Sequence, residues 1–291
     1  MIVVTTPTGQ IGRRVVELLR QADEPVRVIA RDPAKVRGVD VVAGSHRDPA
    51  VLRKALDGAR SLFLLVPPDR QSTDVTEQYV SYARAAAATA SRIVAVSSIG
   101  RGYPEPAGAL AAAWAMDDVI EASGADYRSL RPAYFMENLL AGAGMIRDEG
   151  VFPQPLDADR PLPLTATEDI AATAARLLRD STWSGQDSVP LVSPDDLTPA
   201  GMAEVMADVL GRPVTYRQQS IAEYRSMLDG FGLSGSFVAA LTEMARAQND
   251  GVYGYGRQPA ARTGTSFRDW LRTSSIAATP EGARTRVRPH S

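Results

Sequence analysis

Hydrophobic positions in the first half of the chain alternate between short apolar runs and stretches of helical spacing. Met1-Ile2-Val3-Val4-Thr5 is a β-branched run that meets a turn at Thr6-Pro7-Thr8-Gly9, and from Ile11 the apolar residues Ile11, Val15, Val16, Leu18 and Leu19 recur near helical spacing. The unit then repeats. Further strands are predicted at 26–30, 41–42, 61–66 and 92–96, with helices over about 49–56 and 75–90. Strands that alternate with helices require right-handed crossovers and a parallel sheet, and nearly continuous apolar strands belong to a sheet covered on both faces. The prediction is an α/β, Rossmann-type doubly wound parallel sheet, with a sixth strand at 127–132 closed by Pro132.

Beyond Pro132 the rhythm changes. Residues 150–165 are proline-rich and read as loop with at most short strands. A helix follows at 167–178, a strand near 189–192, helices at 199–210 and 221–229, and an apolar stretch at 237–247. The expected organisation is a Rossmann domain over 1–132, a smaller, mostly helical and interleaved capping region over 133–276 that returns one strand to the sheet, and a mobile tail at 277–291. The tail arginines Arg284, Arg286 and Arg288 read as solvated.

Composition narrows the chemistry. The 291 residues include no cysteine and only two histidines, His46 and His290, so disulfides, thiolate metal sites and histidine-rich metal centres are excluded, and no metal is expected. A net charge of −2 argues against a nucleic-acid partner. No apolar run is long enough to span a bilayer and no signal-peptide pattern opens the chain, so a cytoplasmic protein without a membrane partner is expected.

The strongest local signal is positional. A strand running into Thr6-Pro7-Thr8-Gly9-Gln10-Ile11-Gly12 and then a helix brings backbone N–H groups and the positive helix end to where a pyrophosphate would sit. Gly9 permits close approach of phosphate, and Gly12 lets helix and strand pack. The spacing alone fits an ordinary βα turn equally well. The second strand ends at Arg31, followed by Asp32-Pro33-Ala34-Lys35, and cations at this point suit the 2′-phosphate of NADP, where an acid would suit NAD. The alternative is a solvated strand-end arginine.

The segments TPTGQIG, VIARDPAKV, LFLLVPP, IVAVSSIG, ASGADYRSLRPAYFMENLL, TEDIAATAARLL and TGTSFRDWL, in that order over residues 2–273, resemble the NmrA-like, NAD(P)-binding branch of the atypical short-chain dehydrogenase/reductases. The resemblance implies that residues 6–12 and 31–35 bind phosphates, that Val66-Pro67-Pro68 passes under the nicotinamide ribose, and that Ser97-Ser98 ends a strand beside the cofactor. It further implies that Pro132 to Asn138 borders nicotinamide and substrate, and that the C-terminal half caps the cleft.

Three departures stand out. The family turn usually reads GxxGxxG, but here the first glycine is Thr6, followed by Pro7. The family's adenine-binding acid is replaced by Ser45 in Gly44-Ser45-His46-Arg47-Asp48, where Asp48 reads as a helix cap. The third concerns the Tyr-x-x-x-Lys pair of classical short-chain reductases. Only Lys35 and Lys54 exist, four residues after Arg31 and Ala50, so the pair is absent. The helix that would carry it offers Trp114, Asp117 and Asp118, and adjacent acids about 100° apart on a helix read as a solvated face.

Hydride delivery to an acceptor needing little acid assistance remains: a quinone, an azo or triarylmethane dye, or another conjugated aromatic. Tyr103 and Tyr134 are the candidate proton donors, against packing roles, and Asn138 is a candidate orienting residue, against helix capping. Tyr253, Tyr255, Phe267 and Trp270 read chiefly as core of the second half, with a lining role as the alternative. The expectation is an NADPH-dependent oxidoreductase acting on a small aromatic or quinone-like substrate. The alternative is a non-catalytic NADP-sensing regulator that binds a protein partner. Monomer and homodimer both remain open.

Overall fold

In a computed structural model, residues 1–255, 261–262 and 264–277 are described, so the tail arginines and His290 lie outside them. The elements run β1 (Ile2–Val4), α1 (Gln10–Gln21), β2 (Val26–Ala30), β3 (Asp40–Ala43), α2 (Pro49–Leu56), β4 (Ser61–Leu64), α3 (Val75–Ala87), β5 (Arg92–Val96), α4 (Ala109–Ala122) and β6 (Asp126–Pro132). They continue with β7 (Tyr134–Phe135), β8 (Val151–Gln154), β9 (Leu164–Thr165), α5 (Thr167–Arg179), β10 (Gln186–Val192), α6 (Pro199–Leu210), β11 (Thr215–Gln218), α7 (Ile221–Asp229), α8 (Gly235–Asn249), β12 (Ala261–Arg262) and α9 (Phe267–Thr273).

The main sheet is parallel throughout, in the order β12-β10-β6-β5-β4-β1-β2-β3. It is the doubly wound arrangement expected from the alternation. The two-residue period of β1 explains the two layers. Ile2 and Val4 face α1 and α5, packing with Ile11, Val15, Leu19, Ile170 and Ala174, while Val3 faces the other way onto Leu52 of α2 and Ala83 and Ala86 of α3. Strand direction reverses its progress across the sheet between β1 and β4, which opens a crevice at their carboxyl ends.

α5 and β10 follow the loop-rich stretch in sequence yet belong to the sheet layers: α5 lies against α1, bridged by Arg14 and Glu168 at 2.8 Å, and β10 extends the sheet beside β6. The second core gathers Trp114, Tyr134, Met136, Phe152, Met202, Val252, Tyr253, Phe267 and Trp270. Three of the four late aromatics are thus core, whereas Tyr255 is 44% exposed and meets Tyr103 edge-on at 5.8 Å. α8 from this half crosses α4 so closely that a Cβ on Gly108 would lie 1.9 Å from the Ala240 carbonyl oxygen.

One expectation is overturned. Asp117 is wholly buried, not solvated, because α4 turns it toward the sheet while the next residue, Asp118, faces out to Arg101. Its carboxylate accepts from Tyr127 Oη at 2.6 Å, Ser97 Oγ at 2.9 Å, Ser129 Oγ at 3.0 Å and the Arg131 guanidinium at 3.3 Å. Burial pushes its pKa up, and these donors pull the other way. Asp117→Ala removes the acceptor that four donors share in the core and is expected to cost about 3–5 kcal/mol, measured by denaturant unfolding.

Candidate active site

β1 is followed by Thr5, whose hydroxyl accepts from the Leu65 N–H at 2.9 Å and so fastens the carboxyl ends of β1 and β4 together at the crevice. The chain then turns through Thr6, which holds φ at +50° in the left-handed region. That conformation costs a residue with a Cβ roughly 1–2 kcal/mol, so Thr6 does sterically what the usual glycine does freely. Its Oγ1 is buried with no hydrogen-bond partner among the described residues. Gly9 is the N-cap of α1 and brings no side chain to satisfy the first-turn N–H groups, leaving them available to an anion. Gly12 fixes the helix in place, for a Cβ there would fall 2.2 Å from the Thr6 carbonyl oxygen.

A cleft of about 480 Å³ opens over this turn, lined by Thr6, Pro7, Thr8, Gly9, Arg31 and Lys35, with Ile29, Ala30, Asp32, Gly44, Ser45, His46, Pro67 and Tyr82 completing its wall. Arg31 is exposed at the end of β2 and makes no ion pair among the described residues, while Lys35 lies 3.6 Å from Asp32. Asp48 caps α2 through the Ala50 N–H at 2.8 Å.

Seven of the sequence-predicted binding residues therefore share one cleft: Thr6, Pro7, Thr8, Gly9, Arg31, Lys35 and Pro67. The others stand behind or beyond its wall. Gln10, Ile11 and Gly12 form the first turn of α1, with Ile11 and Gly12 buried against the sheet. Val66 is buried next to Pro67, and Pro132 is buried at the end of β6, where its carbonyl accepts from the Ile99 N–H. Ser97 is turned away from the cleft, because its hydroxyl donates to Asp117.

The candidate donors meet at the second core, Tyr134 within it and Tyr103 packed against it. Tyr134 is buried in its core, with Oη donating to Gln154 Oε1 at 3.3 Å, and burial drives its pKa far above the usual phenol value. Asn138, which is exposed, bonds to the same phenol. Tyr103 is partly buried against Tyr255 and its pKa is also raised, first by desolvation and then by Asp250 and Glu105. Both phenols are on balance weaker acids than a free tyrosine, although Asn138 pulls Tyr134 the other way.

Sequence reasoning missed His46 and Tyr82. They lie apart in the chain, and only the packing of α3 against the end of β3 brings their rings to 4.5 Å. Glu137 was missed as well: it accepts from the Thr167 N–H at 3.0 Å and from Trp270 Nε1 at 3.0 Å, tying the post-β7 helical turn to α5 and α9.

Fold and cleft together define a Rossmann-type protein whose β1–α1 turn opens into a cleft at the sheet's carboxyl edge. The NmrA-like family model matches residues 1–263, and the chain belongs to that family. It is 31% identical over 257 residues to the NAD(P)H azoreductase of Xenophilus azovorans, covering 84% of this chain and 86% of the relative. It is 28% identical over 289 residues to the (4-alkanoyl-5-oxo-2,5-dihydrofuran-3-yl)methyl phosphate reductase of Streptomyces griseus, covering 97% and 100%. Among solved structures, the NADPH-dependent quinone oxidoreductase of Escherichia coli in complex with NADPH superposes with a TM-score of 0.70 at 24% identity, covering 93% of this chain and 98% of that one.

Gly12→Ala should push α1 off the turn, lowering stability by about 1–3 kcal/mol in thermal unfolding and abolishing dinucleotide binding in calorimetry. His46 gives a pH signature. Burial lowers its pKa from 6.5 to about 4, with the Leu65 carbonyl opposing and Arg31 assisting. Between those values the unfolded chain takes up a proton that the folded protein refuses, so stability falls as pH drops from 6.5 to about 4. The loss is at most about 3 kcal/mol, and His46→Phe should flatten that limb of the stability–pH curve.

Proposed function

We propose that this protein is an NAD(P)H-dependent reductase that passes a hydride to a conjugated acceptor of the quinone, azo or triarylmethane type, with NADPH preferred over NADH. The observation that carries the reading is the cleft in which the uncapped start of α1, the Thr6–Gly9 turn and Arg31, without an ion pair among the described residues, face one volume. Those groups match a dinucleotide in order: N–H donors and Thr hydroxyls for the pyrophosphate, then a cation for the 2′-phosphate. The orphaned Thr6 hydroxyl and the glycine-only contact at Gly12 fit a turn shaped for phosphate.

A nicotinamide dinucleotide, when bound, supplies the hydride. What this chain supplies is orientation and exclusion of water. Thr6 to Gly9 hold the diphosphate, Arg31 and Lys35 hold the 2′-phosphate, and Pro67 adds a rigid wall to the same cleft. Proton donation by a tuned side chain has little support, because Tyr103 and Tyr134 both have raised pKa values. An acceptor that delocalises incoming charge fits such a site better than an isolated ketone does. The acceptors named for the azoreductase and quinone oxidoreductase relatives are of that kind.

Two measurements test the proposal. Arg31→Ala should weaken NADPH binding about 10- to 100-fold while leaving NADH within about twofold, measured by calorimetry. Equal losses for the two would refute the assignment of the 2′-phosphate site. NADPH oxidation by the wild-type protein should be acceptor-dependent with at least one quinone, azo or triarylmethane dye, and tight binding without turnover across that panel would instead point to a nucleotide sensor.

A further inference from the structure

The cleft wall contains a binding determinant that the phosphate contacts do not account for. If the pyrophosphate lies on the Thr6–Gly9 turn and the 2′-phosphate on Arg31, the base carried by that same ribose must face the remaining wall. That wall is made by Gly44, Ser45, His46 and Tyr82. An adenine there presents a 6-amino donor and needs an acceptor.

The acceptors beside it are mostly engaged. Ser45 Oγ accepts from the Arg47 N–H at 3.2 Å, and Asp48 caps α2. Asp32 accepts from the Ala34 N–H at 3.1 Å and pairs with Lys35. His46 is different. Its Nε2 lies 3.2 Å from the Leu65 carbonyl oxygen, and since a carbonyl only accepts, Nε2 carries the proton. Nδ1 is then a bare acceptor, and it makes no hydrogen bond among the described residues, although the ring itself is 6% exposed and clamped on Tyr82. Burial and the nearby Arg31 keep the ring neutral at physiological pH, which preserves that lone pair.

We propose that His46 is the adenine-reading residue of this protein, its Nδ1 accepting a hydrogen bond from the 6-amino group, and so takes the place of a carboxylate at Ser45. The inference rests on the dinucleotide reading above. An uncharged acceptor also suits a wall that already carries Arg31 and Lys35, where a cationic imidazole would be repelled.

The test compares NADPH with its hypoxanthine counterpart, in which the 6-amino donor becomes a 6-oxo acceptor, by calorimetry. Wild-type protein should bind NADPH about tenfold tighter than the hypoxanthine dinucleotide, the size of one hydrogen bond lost and one acceptor left facing another. His46→Phe, which keeps an aromatic ring against Tyr82, should bring that ratio within about twofold while the preference for NADPH over NADH persists. Equal binding of the two bases by wild type, or a full ratio in the variant, overturns the proposal and leaves the cofactor assignment standing. Binding of no dinucleotide by wild type brings down the cofactor assignment and this inference with it. A folding-independent arm uses the intact ring: in a His290→Asn background, nitrogen NMR sees one imidazole. NADPH should move its Nδ1 resonance with Nε2 still protonated, the hypoxanthine dinucleotide should not, and identical responses overturn the proposal.

Discussion

The approach of Gly12 to the carbonyl oxygen of Thr6 sets the geometry on which the cleft depends. With no Cβ at position 12, α1 sits directly against the end of β1, and its uncapped N-terminus points into the crevice where the sheet reverses its order. Thr6 completes the arrangement by adopting a left-handed backbone that threonine rarely takes. A strained residue with an unsatisfied hydroxyl persists only where the surrounding contacts over-determine it, and such sites concentrate at ligand clamps. The Thr5 contact across to Leu65 holds the other side of the crevice at the same level.

Polar groups elsewhere in the molecule are largely committed to architecture. Asp117 binds α4 to β5 and β6 from within the core, and Glu137 ties α5 and α9 to the segment after β7. Two tyrosines of the second half have their hydroxyls paired to an amide or a carbonyl: Tyr253 accepts from Gln248 at 2.8 Å and Tyr216 donates to the backbone of Leu156. Desolvation raises the pKa of both.

The two halves are not sequential blocks. α5 and β10, encoded after the proline-rich stretch, complete the sheet and its covering layer, and α8 reaches back to lock α4. Segment 232–234 of the second half also bonds to residues 70–72, in the loop that follows Pro67, so the cleft wall and the second half share hydrogen bonds.

The sequence alone determined the features that are local or periodic. The strand runs 92–96 and the helices 49–56, 199–210 and 221–229 are legible because side-chain burial repeats with the period of the backbone. The Thr6–Gly9 turn and Arg31 are legible as parts of one cleft because each sits at the end of a strand of the sheet. Tertiary structure alone decided what depends on convergence of distant segments. Asp117 reads as solvated until Tyr127 and Ser129 on β6 and Ser97 beyond β5 surround it. His46 reads as an isolated histidine until Leu65 fixes its proton and Tyr82 its ring. Neither partner set leaves a periodic trace, because a hydrogen bond between residues far apart in the chain imposes no repeat on the sequence between them.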